Sequence, residues 1–272
     1  MGLKPPRPGL PPVRPPEPPA VQRLIFRVGI VGGARYLSHL ETMNAWLRTL
    51  RRAEVPLVYS QGFHPHPKVA FSSARPVAEA SLGEYMDITL NKRVDPDVLL
   101  ERLQETVPAG FRVFGVSEVG LKSPSLMSVV DGMEYVVIVD GEPETWEPAV
   151  AGLLVRDEIV VERRTKRKAR RRGPPTRSID IRPNIQTVEV EAAGESQSLI
   201  RISLRTIERR GAKIREVLAA MGADFTNAQV VRLNTRFTDE LDLGAMAQGK
   251  AERFADALAA RATESARSAD GI

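Results

Sequence analysis

The chain has 272 residues, of which 42% are hydrophobic, and its formal net charge is +5. This length favours about two domains, and the hydrophobic content is enough to give each of them a core. The absence of cysteine excludes disulfides, cysteine-ligated zinc and an iron–sulfur cluster held by this chain. No apolar run reaches the roughly 18 residues that span a bilayer, and the N-terminus lacks an apolar secretory segment. We therefore expect the protein in the cytoplasm.

Residues 1–22 are predicted to be a disordered, proline-rich arm. The first 20 residues hold nine of the 21 prolines and few side chains that could build a core. This arm is excluded from the predicted fold.

Residues 23–118 show the pattern of a first folded unit. Ser38 with Glu41 forms a capping box at the start of a helix that ends near Ala53. Asp95 caps a second helix that opens with Pro96. The predicted elements are a strand at 23–31, a helix at 38–53, strands at 69–72 and 85–90, a helix at 95–107 and a strand at 111–116. The order βαββαβ is that of a ferredoxin-like fold.

The same order is predicted to recur in residues 133–237, after a linker at 119–132. The expected strands are 134–139, 158–164, 186–191, 199–206 and 229–234, and the expected helices are 144–154 and 213–221. A basic insertion at 163–177 interrupts this second unit. A helical tail is predicted at 238–272, which is rich in Ala, Glu and Arg. The fold class is therefore predicted as α+β, with two tandem ferredoxin-like (βαββαβ) modules.

A run of basic residues dominates the charge of the chain. Residues 163–172 carry +8, so the rest of the chain sums to 5 − 8 = −3. A cluster of this density repels itself, and an anionic partner relieves that repulsion, which favours nucleic acid, RNA ahead of DNA. The alternative is a solvated hairpin. The predicted RNA contacts in this run are Arg163, Arg164, Lys166, Arg167, Lys168, Arg170, Arg171 and Arg172.

Residues 59–68, the histidine box, form a second candidate site. Gly62, Pro65 and Pro67 exclude a helix and a regular central strand, so the box is predicted to be a loop of defined shape. Its aromatic side chains could stack on unpaired bases, although aromatics on predicted strands are more often buried. The predicted RNA contacts in the box are Tyr59, Gln61, Phe63, His64, His66 and Lys68.

The three histidines allow two further hypotheses. His39, His64 and His66, with Glu41 nearby in sequence, are weak metal candidates, because imidazole and carboxylate suit zinc, iron or manganese but the spacing is no standard signature. The first helix would hold His39 roughly 20 Å from the box at 1.5 Å per residue, unless the loop folds back. Structural roles are the alternative for all three.

His39 is also a candidate general base. It is predicted near the start of the first helix, where some ferredoxin-like RNA endonucleases use a histidine without a metal, and an imidazole titrates near neutrality. Tyr36, Ser38 or Lys68 would be its neighbours. Fold analogy alone does not establish this activity.

Several segments resemble the radical-SAM-linked domain family, a bacterial group encoded next to or fused to radical SAM proteins. The resemblance covers about residues 23–236, and Glu41 stands where the family favours Asp. The segments that carry the resemblance are 35–41, 51–53, 59–68, 71–74, 83–87, 179–183 and 211–213.

The resemblance implies a radical SAM protein as a partner. Because this chain has no cysteine, the iron–sulfur cluster and S-adenosylmethionine are expected only in that partner, with no cofactor here. The expected function is that of an RNA-binding accessory protein, and not of an enzyme by itself, that presents rRNA or tRNA for modification. No membrane is expected among its partners. The alternatives are a metal-independent RNA endonuclease using His39 and a protein-binding adaptor whose basic run meets an acidic surface.

Overall fold

A computed structural model describes residues 18–61, 63–165, 175–193, 196–208, 210–239, 241 and 243. Most of the predicted arm, the centre of the basic insertion at 166–174 and nearly all of the predicted helical tail lie outside the described residues.

The described residues form eleven strands and four helices. The strands are β1 (Gln22–Ile30), β2 (Val69–Phe71), β3 (Ala80–Leu90), β4 (Phe111–Val119), β5 (Val130–Asp140), β6 (Val160–Arg164), β7 (Thr176–Asp180), β8 (Ile185–Ala192), β9 (Gln197–Ile207), β10 (Arg210–Gly211) and β11 (Gln229–Phe237). The helices are α1 (His39–Arg52), α2 (Pro96–Thr106), α3 (Pro143–Leu154) and α4 (Ile214–Ala220).

Nine strands form one sheet that runs through both halves of the chain. Its order is β10-β9-β5-β11-β3-β1-β4, with β2 paired to β3 and β8 paired to β9. The N-terminal strands therefore lie in the order β4-β1-β3-β2, and the C-terminal strands lie in the order β11-β5-β9-β8. A parallel pairing of β3 with β11 joins the halves. The mixed α+β class predicted from the sequence is confirmed.

One predicted strand does not take its expected place. The segment predicted at 158–164 forms β6, which pairs only with β7 in a separate two-stranded hairpin, and β8 lies beside β9 instead. The residues of β6 are alternately exposed and half-buried, so this strand offers no fully buried apolar face to the main sheet. The short strands β7 and β10 were missed by the sequence prediction.

The helix starts and ends follow local signals in the sequence. The Ser38 side chain accepts a hydrogen bond from the Glu41 backbone N–H, and Glu41 Oε2 accepts one from the Ser38 N–H at 2.8 Å. Asp95 caps α2 by accepting from the N–H groups of the second and third residues after it. Gly222 has φ of +82°, the left-handed conformation that ends α4 at low steric cost. The predicted caps are confirmed.

Each half packs its helices on the sheet around its own apolar core. In the N-terminal half, Trp46 and Leu50 of α1 pack with Leu99 and Leu103 of α2 against β1, β3 and β4. In the C-terminal half, α3 and α4 contribute Leu153, Val217 and Leu218 to a second cluster with β5, β8, β9 and β11. The two cores lie under one continuous sheet.

The junction between the halves depends on close backbone approach and on polar contacts. A Cβ on Gly83 would lie 2.4 Å from Asn234 Cα, so only glycine permits β3 to lie this close to β11. Arg27 is buried on β1 and donates to the Leu82 carbonyl at 3.0 Å and the Leu233 carbonyl at 2.9 Å. This side chain therefore links three neighbouring strands.

In the part of the chain that the structure describes, no helix has both the length and the apolar character needed to cross a membrane.

Candidate functional site

A pocket of about 680 Å³ lies beside the junction of the two halves. Three segments that are distant in sequence line it: residues 73–76 after β2, residues 125–130 before and at the start of β5, and residues 211–215, which lead from β10 into α4. Two of them overlap segments 71–74 and 211–213, which carry the family resemblance. The fold thus brings together pieces that the sequence could only identify separately.

A buried ion pair forms one side of this pocket. Arg232 on β11 is 1% exposed and Glu79 before β3 is 0% exposed. Arg232 donates from Nη2 and Nε to Glu79 Oε1, at 2.8 and 3.0 Å, and from Nη1 to Ser73 Oγ at 2.9 Å. The second carboxylate oxygen of Glu79 accepts no hydrogen bond from any described residue. The pair is therefore rigid and leaves one anionic acceptor unused.

The pKa values of this cluster respond to burial and to mutual attraction. Burial raises the pKa of Glu79, and the Arg232 guanidinium opposes that rise. Burial would lower the pKa of Arg232, but Tyr135 and Glu79 outweigh it, so the pKa lies above its usual range and the guanidinium stays charged. Burial raises the pKa of Tyr135 to about 12, which keeps its hydroxyl protonated near neutral pH.

A second buried ionic contact lies beside the Arg232–Glu79 pair. Arg75 Nε is 3.4 Å from Glu84 Oε1, and both side chains are nearly inaccessible. Arg75 also donates from Nη1 to the carbonyls of Arg35 and Glu79. Burial raises the pKa of Glu84, an effect that the nearby Arg232 and Arg75 guanidinium groups oppose.

The rim of the pocket differs from its buried side. Lys213 and Arg215 are exposed, and the Arg215 guanidinium lies 5.7 Å from the centroid of the Phe225 ring. Ala74 and Met127 are also exposed at the rim. The pocket therefore has cations and apolar groups at its mouth and an ion pair inside.

The β6–β7 hairpin is attached next to this rim. Arg163 of β6 donates from Nε to Glu216 Oε1 and from Nη2 to the Gly211 carbonyl, both at 2.8 Å. Gly211 lines the pocket, and Glu216 lies on α4. Arg163 thus ties the hairpin to the turn that lines the pocket.

The eight basic residues predicted to contact RNA differ in their surroundings. The guanidinium of Arg163, one of the predicted RNA contacts, donates within the protein to Glu216 and to the Gly211 carbonyl. Its contact with RNA stays a prediction. Arg164 is exposed at the end of β6. The other six predicted contacts, Lys166, Arg167, Lys168, Arg170, Arg171 and Arg172, lie outside the described residues.

The histidine box forms a closed loop away from the pocket. Tyr59 pairs with Pro67 in an isolated bridge, and the Ser60 N–H donates to the His66 carbonyl at 2.8 Å. Phe63 is 87% exposed. The other predicted contacts in the box, Gln61, His64, His66 and Lys68, are also exposed, and none of the described box residues lines the pocket. Phe71 instead packs against the N-terminal core.

The three histidines do not form a metal site in the structure. Across the described ranges, which include His39, His64 and His66, no three His, Asp or Glu side chains come together in an arrangement that could hold a metal ion. Glu41 is occupied in the capping box, where hydrogen bonds from Ser38 lower its pKa. The described residues therefore add no support for the metal hypothesis, which stays a prediction.

His39 is the first residue of α1 and is exposed. Two of its proposed catalytic neighbours are already engaged: the Tyr36 hydroxyl accepts from Arg35 at 2.8 Å, and the Ser38 hydroxyl donates to Glu41 at 2.7 Å. No contact in the structure adds support for the endonuclease hypothesis, which stays a prediction.

Sequence reasoning missed the buried pocket residues Glu79, Tyr135 and Arg232. Arg232 follows Val230 and Val231 in a strand whose neighbours are apolar. A cation at such a position must be paired, because burying it alone is costly. A charged residue in an apolar strand was therefore the feature of the sequence that indicated a buried ion pair. Its partner, Glu79, could not be identified because it lies 153 residues away in the sequence.

Another segment with the family resemblance, 179–183, has a structural role. Arg182 donates to the carbonyl of Leu154, the last residue of α3, at 2.8 Å. It also donates to the carbonyl of Arg156, just beyond the end of this helix, at 3.0 Å. A cation is favourable at this end of a helix because unpaired carbonyls point toward it. This segment therefore contacts the C-terminal end of α3 and does not line the pocket beside the junction.

A family model described as "Uncharacterized protein conserved in bacteria (DUF2344)" matches residues 23–215. The match covers more than half of the chain, so the protein belongs to this family. The expected membership of a conserved bacterial family is confirmed at this level, while the link to radical SAM proteins stays a prediction.

A comparison with curated proteins found no match. Among solved structures, a chain in the "Crystal Structure of a Cbf5-Nop10-Gar1 Complex" is similar to this one, with 11% sequence identity and a TM-score of 0.38. The similarity covers 78% of this chain and 48% of that chain, so this protein spans about half the length of the chain it matches.

Proposed function

We propose that this protein binds RNA through its β6–β7 hairpin and acts as an accessory to a radical SAM enzyme that modifies rRNA or tRNA. The RNA part is supported by the hairpin and its charge. The partner part is supported only by the sequence resemblance. The two parts are tested separately.

The RNA proposal depends on the charge and the closed base of the β6–β7 hairpin. The Thr165 N–H donates to the Pro175 carbonyl at 3.0 Å, which brings together the two ends of the segment 166–174. That segment contains six Lys or Arg residues in nine positions. Arg164 and Arg177 on the strands beside it are exposed. A dense set of cations at one place favours contacts with several phosphates of one strand.

The strand orders support a finer interpretation of the fold. We interpret β4-β1-β3-β2 and β11-β5-β9-β8 as two ferredoxin-like modules, because each has the order in which the fourth and third strands flank the first. In this interpretation the β6–β7 hairpin is an insertion in the second module. Such sheets are a common support for RNA-binding surfaces.

The histidine box supplies a second proposed contact. Phe63 is exposed in a closed loop, where an aromatic ring can stack on an unpaired base. Phe63→Ala is expected to weaken RNA binding by roughly 5- to 150-fold, which corresponds to about 1–3 kcal/mol per stacked base. Val155→Ala, at another exposed apolar side chain, is the control. Equal small effects of both changes would remove the box from the interface.

Matched charge variants test the hairpin directly. Four cations are changed to Gln in the variant Arg167→Gln, Lys168→Gln, Arg170→Gln and Arg171→Gln. Four exposed cations elsewhere are changed in the control Arg48→Gln, Arg51→Gln, Lys92→Gln and Lys122→Gln. Both variants lose the same charge. Arg163 is left intact in both, because its loss would also release the hairpin.

Affinity for a single-stranded RNA is then measured between about 50 and 200 mM salt, a range over which phosphate contacts change affinity strongly. The hairpin variant is expected to lower the slope of log affinity against log salt by roughly three, since each lost contact contributes about 0.7. The control is expected to keep most of the slope. Equal losses would show that only net charge matters and would contradict the hairpin as the binding element.

The partner proposal has its own experiment. The chain is coexpressed with a radical SAM protein, the partner class that the resemblance implies, and the mixture is analysed by size-exclusion chromatography with light scattering. A stoichiometric complex is expected. Separate elution at micromolar concentrations, with and without RNA, would contradict the partner proposal and leave RNA binding standing.

A further inference from the structure

We propose that the pocket beside the β6–β7 hairpin receives one unstacked nucleobase of the RNA that the hairpin binds. This inference rests on the proposed RNA binding and adds a defined site, a ligand class and an orientation. The volume of the pocket, about 680 Å³, lies in the range of roughly 300–1,000 Å³ that is typical of small-molecule sites.

The polarity of the pocket fits a nucleotide in one direction. Lys213 and Arg215 are exposed at the mouth, where they can contact the phosphates on either side of an inserted base. Inside, the buried Arg232–Glu79 ion pair lines one side of the pocket, and the second oxygen of Glu79 is shielded from solvent and has no hydrogen-bond partner among the described residues. A phosphate inside the pocket would lose its water without gaining a free cation, because the Arg232 guanidinium is already paired with Glu79. The base therefore enters and the phosphates stay at the rim.

The buried side of the pocket is held in place by this ion pair. Arg232 fixes Glu79 Oε1 with two hydrogen bonds and also bonds Ser73. Because Arg232 is occupied by these contacts, it orients Glu79 as a positioning residue. The walls add the ring of Tyr135 and the apolar side chains of Met133 and Ile214. Apolar walls with a few fixed polar groups are the usual composition of a ligand site.

The hairpin and the pocket share a structural element. Gly211 lines the pocket and accepts a hydrogen bond from Arg163 of β6, and Glu216 of α4 accepts two more from the same guanidinium. A strand of RNA held by cations next to β6 therefore passes the pocket mouth within a short reach. Extruding a base from single-stranded RNA costs only a few kcal/mol or less, because few stacking contacts are lost.

The experiment fills the pocket mouth without disturbing the core. Ala74 is exposed and lines the pocket, so Ala74→Trp places a large side chain in its entrance. Val77 lies three residues away in the same loop, is also exposed and does not line the pocket, so Val77→Trp is the matched control. Met127→Trp, at another exposed rim position, is a second plug. Thermal melts establish that each variant is folded.

Each protein is titrated with two probes: a nine-nucleotide single-stranded RNA and the matched ribose–phosphate strand that lacks every base. The wild type and Val77→Trp are expected to prefer the intact RNA. Ala74→Trp and Met127→Trp are expected to lose roughly 5- to 150-fold of that preference, the effect typical of one bound base. Affinity for the base-free strand is expected to be the same for all four proteins.

The outcomes separate this inference from the proposed function. If both plugged variants keep the full preference for bases, the pocket is not the base site, although RNA binding stands. If the wild type binds both probes equally and in a salt-dependent way, the pocket inference falls and the hairpin proposal survives. If the wild type binds neither probe, the proposed function fails and this inference fails with it.

Discussion

Charged side chains have opposite surroundings at the β3–β11 junction and on the β6–β7 hairpin. At the junction, Arg232 and Glu79 are buried and bonded to each other. On the hairpin, Arg164 and Arg177 are exposed beside a segment with six cations in nine residues. Buried pairs fix geometry because neither partner can return to water, while exposed cations stay available to a partner. The density of charge in the sequence therefore indicated the hairpin as a candidate site but gave no indication of the pocket.

Arg163 connects the two regions. It belongs to the basic run by sequence, yet it is largely buried against Glu216 and the pocket turn. The same residue type thus has a structural role at one end of the run and a proposed binding role in the rest of it. Stability measurements on variants of the two regions test this distinction.

Arg232→Met is expected to lower the free energy of unfolding by about 3–5 kcal/mol, because it leaves Glu79 buried without its partner. Arg93→Met is the control, since the Arg93–Glu118 pair has side-chain exposures of 66% and 37%. Its loss is expected to cost at most about 1 kcal/mol. Urea unfolding at neutral pH measures both, and similar losses would contradict the contrast between buried and exposed pairs.

Tyr135 should make stability fall in alkaline solution. Its pKa is raised from 10 to about 12 by burial, so the unfolded chain releases this proton before the folded protein does. Stability attributable to Tyr135 is therefore lost as pH rises from about 10 to 12, by at most about 3 kcal/mol at 1.36 kcal/mol per pKa unit.

Tyr135→Phe is expected to flatten the stability profile between pH 10 and 12, measured by urea unfolding at each pH. Tyr36→Phe removes an exposed phenol and is the matched control. If both variants flatten the profile equally, burial at the junction is not the cause.

Arg163→Met should loosen the hairpin with a smaller effect. Charge-assisted hydrogen bonds contribute about 1.5–3 kcal/mol, and partial exposure reduces this to about 1–2 kcal/mol. Amide hydrogen exchange in β6 and β7 is therefore expected to speed up by roughly 5- to 30-fold. Arg201→Met, in an exposed pair on β9, is the control. Unchanged exchange in the hairpin would show that Arg163 does not anchor it.

Most secondary structure was predictable because its signals are local. The caps at Ser38 and Asp95 depend on residues within three positions, and both helices begin where predicted. The strand β7 is short and polar, so no apolar alternation identified it, and β6 was consequently assigned to the wrong sheet. Local pattern alone does not distinguish a hairpin strand from a strand of the main sheet.

The candidate site was predictable only in part. The basic run and the exposed Phe63 were recognised from composition and turn chemistry. The meeting of residues 73–76 with 211–215 was not, because it depends on the parallel pairing of β3 with β11. The three-histidine hypothesis gained no support, because no group of three His, Asp or Glu side chains suited to a metal ion occurs among the described residues.

The sequence by itself determined the helices and their caps, the absence of cysteine chemistry and the position of the cationic run. Each of these follows from composition or from neighbours within one turn of a helix. Only the tertiary structure showed that the two halves share one sheet. It also showed that Arg232 pairs with Glu79, 153 residues away in the sequence, and that a pocket lies beside the hairpin. Burial and long-range strand pairing are properties of the whole chain, which is why no local pattern contained them.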